Sequence, residues 1–106
     1  MTDIHFAPAY EQAAKIAKGE IGAEELLDHY LARIGKYNGD LNAVIWMDEK
    51  GARARAKAAD AARARGDRLG PLHGVPMTIK ESYNFVGSPS TWGNPAWKDH
   101  YPERTL

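Results

Sequence analysis

Two short apolar runs, Leu41 to Met47 and Val75 to Lys80, do most to limit what this chain can fold into. In the first, Val44, Ile45 and Trp46 favour extended backbone, and an unbroken apolar run is the pattern of a strand buried on both faces. In the second, Pro76 is tolerable only near the start of a strand or at an edge. Between them runs Glu49 to Arg65, rich in alanine, the best helix former. Asp48 stands where it can cap that helix, Gly51 is its weak point, and Gly66 fits the position just past its end. Strand–helix–strand predicts a crossover unit in an α/β sheet.

Two further helices are expected upstream. Pro8 suits a first helical turn, where its missing N–H costs nothing. Tyr10, Ala13, Ala14 and Ala17 then recur at helical spacing, with Gly19 as the stop. A second helix is expected from about Ala23 to Tyr37, with Leu27, Tyr30, Leu31 and Ile34 on one stripe and Asn38-Gly39-Asp40 as the closing turn. After Ser82 the periodicity is lost. Gly87, Ser88, Pro89, Ser90, Gly93, Asn94 and Pro95 mark a long loop that carries Trp92 and Trp97. The expected order is therefore helix, helix, strand, helix, strand, long loop. Residues 1–106 are expected to form one partial domain with no internal boundary. Two buried strands do not make a finished sheet, so the chain reads as part of a larger domain. Alone, it is expected to expose apolar strand surface and to associate or remain partly unfolded.

Composition narrows the function classes. Lys plus Arg and Asp plus Glu both number 14, giving a formal net charge of zero. A protein that coats nucleic acid or an anionic membrane needs a positive excess, so neither partner is expected. Seven basic residues do fall between Lys50 and Arg68, against Asp60 and Asp67. A solvated face of the alanine-rich helix explains them better than a nucleic-acid patch. There is no cysteine, hence no disulfide, thiolate metal site or cysteine nucleophile. His5, His29, His73 and His100 lack metal-ligand spacing, and neither metal nor cofactor is expected. The N-terminus shows no basic stretch followed by an apolar run, so no secretory signal is read there. Ala43 to Met47 is far short of the ~20 residues that cross a bilayer. A cytoplasmic location is expected.

The segment Gly70-Pro-Leu-His-Gly-Val-Pro-Met-Thr-Ile-Lys80-Glu81 resembles the stretch around the catalytic lysine of the amidase signature family. The likeness continues through Phe85-Val86-Gly87 and Pro89-Ser90-Thr91-Trp92-Gly93-Asn94, where Ser90 and Asn94 depart mildly from the family pattern. Upstream, Ala23 to Ile34 and Leu41 to Val44 are similar to the family's entry helices and first strand. The resemblance implies a mixed β-sheet sandwiched by helices, of which this chain is the N-terminal portion. It also implies hydrolysis or transfer of amide groups by a lysine, a serine in a cis peptide and a serine nucleophile, acting on a small-molecule amide. Lys80 takes the lysine's place. The two serines lie further along the family's chain, in glycine- and serine-rich segments that nothing after Lys80 resembles. Ser82, Ser88 and Ser90 are therefore not assigned those roles.

The chemistry suits a lysine. In water its pKa of about 10.4 makes it a poor base at neutral pH, and burial in an apolar setting favours the neutral amine. A neutral amine can accept a hydroxyl proton. For Glu81, solvation or pairing with a neighbour is the simpler reading. His73 reads as a loop residue. Trp92 and Trp97 either line a substrate pocket or anchor the loop. Two functions stay open: the Lys80-bearing part of an amidase or amidotransferase, or a non-catalytic remnant or assembly module that pairs with a partner chain. By itself the 106-residue chain is expected to be inactive.

Overall fold

Three α-helices and two short 3-10 turns make up the regular structure of residues 3–105, the residues described by the computed structural model. The chain divides into two compact units, Met1–Pro76 and Met77–Leu106. All three helices lie in the first: α1 (Ala9–Ala17), α2 (Ala23–Leu41) and α3 (Glu49–Ala64). The 3-10 turn Ile4–Phe6 precedes them, and Pro95–Trp97 forms the other, in the second unit.

Helix ends follow the local signals. Pro8 stands immediately before α1, whose exit is made by Gly19 in the left-handed region (φ 75°). There the Gly19 N–H donates to Ile16 O and the Glu20 N–H to Lys15 O, which satisfies two end carbonyls. α3 ends in the same way: Gly66 (φ 78°) donates to Arg63 O and Asp67 to Ala62 O. Its start is capped by Asp48, whose Oδ1 accepts the Gly51 N–H at 2.9 Å.

The core forms around α2, which uses two adjacent stripes. Leu26, with half-buried Tyr30, joins Ile4, Ile16 and Ile21 in one apolar cluster, and Ala7 and Val75 pack on it. Ala23 and Leu27, with Leu31, face Ala56, Ala52 and Ala59 of α3 in a second. The alanines of α3 thus let two helix backbones approach closely. Neighbours across this contact run in opposite senses, Ala23 beside Asp60 and Asp28 beside Arg53, so α2 and α3 are antiparallel. On α1 the buried stripe is Gln12, Ala13 and Ile16. Tyr10, Ala14 and Ala17 are exposed, a rotation away from the expected stripe that puts the larger Ile16 inside. Gln12 is 3% exposed yet fully engaged. Its amide nitrogen reaches the carbonyls of Ile4 and Ala7 at 3.0 Å, and its Oε1 accepts the Tyr30 hydroxyl at 3.0 Å. His5 Nδ1 lies 2.7 Å from His29 Nε2 with the rings stacked, a second tie between the N-terminal turn and α2. Desolvation, then the neighbouring Arg33 and His29, hold His5 below the ordinary histidine value.

The expected mixed β-sheet is not there. Among the described residues there is no strand at all, and the α/β assignment is overturned by a purely helical set of elements. A strand needs partners for its N–H and C=O groups. In the 41–47 run the partner is a side chain: Asn38 Nδ2 donates to Val44 O, and Val44 N–H donates to Asn38 Oδ1, both at 2.9 Å. That amide imitates one rung of a ladder and ends it there. Ile45, Trp46 and Met47 remain 62%, 44% and 47% exposed. It also explains why α2 passes through Asn38-Gly39-Asp40 to Leu41, where Asn42 (φ 49°) closes it by donating to Asn38 O at 2.7 Å. In the 75–80 run Val75 enters the core but its N–H turns back to Leu72 O, and Met77 and Ile79 are exposed.

The N-terminus of α2 carries a polar contact that ties it to α3. Gly22, at the N-cap, has no side chain to accept the first free N–H groups. Asp60 of α3 does so instead, taking the Ala23 N–H at 2.6 Å and the Glu24 N–H at 3.1 Å. A Cβ on Gly22 would lie 3.3 Å from Asp60 Oδ2, so glycine leaves room for the carboxylate. A charged acceptor also complements the helix dipole there. Asp60→Ala is expected to lower stability by about 1–2 kcal/mol, roughly 5–10 °C in Tm, with Asp60→Asn in between. Thermal melts followed by far-UV circular dichroism check this; an unchanged Tm for the alanine variant would contradict it.

Candidate functional site

The segment Gly70 to Glu81 crosses from one unit to the other, and its two halves are held by different means. The loop half is fastened to the helices. His73 Nε2 lies 2.9 Å from Ala59 O, which requires that nitrogen to carry the proton. Gly74 adopts φ 81°, and a Cβ there would meet Ile16 Cδ1 at 3.1 Å and Ala23 Cβ at 3.2 Å. Both conformation and space therefore demand glycine. Val75 follows into the apolar cluster of Ile4, Ile16, Ile21 and Leu26. The glycine, histidine and valine of this stretch are thus packing residues.

The other half begins the second unit. Lys80 is exposed, and it forms none of the ion pairs found among the described residues. Its carbonyl accepts the Tyr83 N–H at 3.0 Å in a tight turn. Thr78 is exposed as well. Glu81, by contrast, is heavily engaged. Its Oε2 accepts the Thr91 hydroxyl at 2.5 Å, its Oε1 accepts the Trp92 N–H at 2.7 Å, and its carbonyl accepts the Ser90 hydroxyl at 3.1 Å. The Thr91 hydroxyl first, then the Trp92 N–H, hold its carboxyl below the ordinary glutamate range, against a small opposing desolvation.

The serines of this unit serve turns. Ser88 Oγ donates to Phe85 O at 2.9 Å. Ser90 is 2% exposed and also donates its N–H to His100 O at 2.8 Å. An open depression of about 240 Å³ lies beside it, lined by Asn84, Ser90, Trp92, Trp97 and His100. Both indoles flank this space, which is the arrangement that would let them serve as a pocket wall. Among the described residues no three ligating side chains gather to hold a metal, and no helix is long and apolar enough to cross a membrane. The basic run on α3 is partly paired: Arg53 bridges Asp28 and Glu49, and Arg65 meets Asp67.

Sequence reasoning singled out Lys80 by its motif and missed what Glu81 holds. No spacing rule links a glutamate to a threonine ten positions on, and only the fold of the loop brings them together. Asp60 was hidden for the same reason, counted as one acid in a basic run.

Comparison with known proteins gives the family. The amidase family pattern matches residues 25–105. The chain belongs to the amidase family. Among curated relatives, it is 43% identical over 94 residues to a glutamyl-tRNA(Gln) amidotransferase subunit of Streptomyces coelicolor, covering 89% of this chain and 19% of that protein. It is 46% identical over 92 residues to the indoleacetamide hydrolase of Bradyrhizobium diazoefficiens, covering 87% and 18%. The chain thus spans about a fifth of the length of these relatives. A solved structure described as a vestigial protein complex that reveals the evolutionary origins of an s-triazine catabolic enzyme superposes with a TM-score of 0.85 at 33% identity. It covers 92% of this chain and 21% of that one.

The packing role of Gly74 is open to a direct check. Gly74→Ala is expected to cost about 1–3 kcal/mol, from the left-handed backbone and the crowding of Ile16. Gly70→Ala, where a Cβ would meet nothing within 4 Å, is the control and is expected to change stability by less than about 0.5 kcal/mol. Equal urea midpoints for the two variants would remove the distinction.

Proposed function

We propose that this chain is the lysine-bearing part of an enzyme that hydrolyses or transfers carboxylic amide groups, with Lys80 as the base. The observation that carries the reading is the Gly70–Glu81 stretch. Its likeness to the family's lysine motif, inside the region matched by the amidase pattern, supports Lys80 in that role. Relatives named as an amide hydrolase and as part of an amidotransferase support the same bond class. The substrate is a small-molecule amide. The neutral Lys80 amine takes a proton from a bridging serine hydroxyl, which in turn takes the proton of the serine that attacks the amide carbonyl. Neither serine is assigned within these 106 residues. Ser88 and Ser90 spend their hydroxyl protons on the carbonyls of Phe85 and Glu81, which supports leaving them out. The chain alone then supplies the base and part of the scaffold, without nucleophile or oxyanion site.

The exposure of Lys80 fits this division. A lysine that serves as a base needs an environment that favours its neutral form. In this reading that environment comes from sequence beyond the 106 residues.

The test uses a longer enzyme containing this sequence and the 106-residue chain side by side. In the longer enzyme, Lys80→Ala is expected to lower kcat by orders of magnitude on a simple aryl amide. Lys80→Arg is expected not to restore it, because a guanidinium stays protonated. The 106-residue chain is expected to show no turnover. Near-normal turnover by the arginine variant would make Lys80 a structural charge, and steady turnover by the short chain that Lys80→Ala abolishes would overturn the division of labour.

A further inference from the structure

Next to Lys80 the backbone is held by an arrangement that the amide chemistry above does not use. The Glu81 side chain accepts from Thr91 Oγ1 and Trp92 N, while the Glu81 main chain accepts from Ser90 Oγ. Three consecutive residues, Ser90, Thr91 and Trp92, are thus pinned to one residue. The pinned segment is not relaxed. Trp92 has φ 54°, in the left-handed region that a bulky residue seldom enters without compensation. The Trp92 N–H, bonded to a carboxylate, supplies that compensation through a charge-assisted hydrogen bond. Ser90 is also tied on its other side, its N–H donating to His100 O. Trp92, Ser90 and His100 are three of the five residues around the open depression, so what fixes Ser90 to Trp92 fixes one wall of that space.

We propose that Glu81 is a positioning residue whose carboxylate locks the Ser90–Trp92 segment, and with it the Trp92 wall of the depression, to the backbone one residue from Lys80. Its consequence for catalysis rests on the reading of Lys80 as the base; the lock itself does not. An uncharged acceptor of the same shape can keep the geometry. In a glutamine variant the amide oxygen still accepts the Trp92 N–H, and the amide nitrogen turns to donate to Thr91 Oγ1. What glutamine removes is the titration. Alanine removes both.

The sign of the pH effect follows from the carboxylate's partners. All of them donate, and no other charged group contributes to holding the Glu81 carboxyl low among the described residues. The lock is therefore present above the ordinary glutamate value of 4.5 and is lost as pH falls through the lower value of the folded state.

The experiment is amide hydrogen exchange and a pH titration of the ¹⁵N-labelled 106-residue chain, followed at the Trp92 backbone N–H, with Leu26 and Leu27 of α2 as controls. In the wild type the Trp92 resonance is expected to move with an acid midpoint below 4.5. Glu81→Gln is expected to abolish that transition and to retain Trp92 protection. Glu81→Ala is expected to speed Trp92 exchange several-fold while the α2 controls stay unchanged. The lock is overturned if the acid transition persists in Glu81→Gln or has its midpoint at or above 4.5. It is equally overturned if Trp92 is unprotected in the wild type, if Glu81→Ala leaves its exchange unaltered, or if α2 loses protection along with it. In a longer active enzyme, Glu81→Ala is expected to raise KM with kcat held within a few-fold, whereas Lys80→Ala removes kcat. An unmoved KM would remove the positioning role and leave Lys80 as the base; a retained kcat in Lys80→Ala would do the reverse.

Discussion

The helical unit depends on a carboxylate that belongs to one helix and caps another. α2 begins at Gly22, which offers no acceptor, and its first N–H groups would face solvent or be stranded at the junction with α3. Asp60 reaches across to take two of them. The contact fixes the axial register of the α2–α3 pair, because the carboxylate must come from the turn of α3 that lies level with Ala23. With that register set, Leu27 meets Ala56, and Arg53 lies level with Asp28. The ion pair is surface-exposed and contributes little by itself. What it shares with Asp60 is direction: both demand the antiparallel arrangement that brings the alanines of α3 onto Ala23 and Leu27.

Much of this was legible from local signals and little of it from long-range ones. Asp48, Gly19, Gly66 and the limits of α3 follow from rules that act within a few residues. The start of α2 is capped from outside, by Asp60 of α3. Its end does not follow from such rules either, because Asn38-Gly39-Asp40 is turn chemistry that another demand overrides. The Asn38 side chain is occupied by the backbone of Val44, and a helix that continues to Leu41 is what places it there. The same amide occupies the backbone of Val44, and the run beyond Leu41 forms no strand. An apolar run signals burial and extended backbone; it does not name the partner that a sheet requires. Here the partner is a side chain, one residue long.

The site shows the same division within a single stretch. Gly70 to Glu81 is recognisable as a pattern, and Lys80 is placed by pattern alone. The structure separates that pattern into residues that pack and residues that hold the following loop. Gly74 is there because Ile16 and Ala23 leave no room for a Cβ and because its backbone is left-handed. His73 ties the loop to α3, its Nε2 lying 2.9 Å from Ala59 O. The histidine of the motif is thus engaged in joining the loop to the helices.

On the far side of Pro76 the pattern changes from packing to polar restraint. Lys80 makes no ion pair among the described residues, and its neighbour takes three hydrogen bonds. On the proposed reading of Lys80 as the base, that contrast is physically sensible. A lysine tied to a carboxylate would be held in its charged form, since an opposite charge at close range favours ionisation. A glutamate beside it could have been that partner. Its two oxygens are instead occupied by the Thr91 hydroxyl and the Trp92 N–H. The donors that lower the Glu81 carboxyl fix the loop, and Lys80 stands outside the ion pairs found among the described residues.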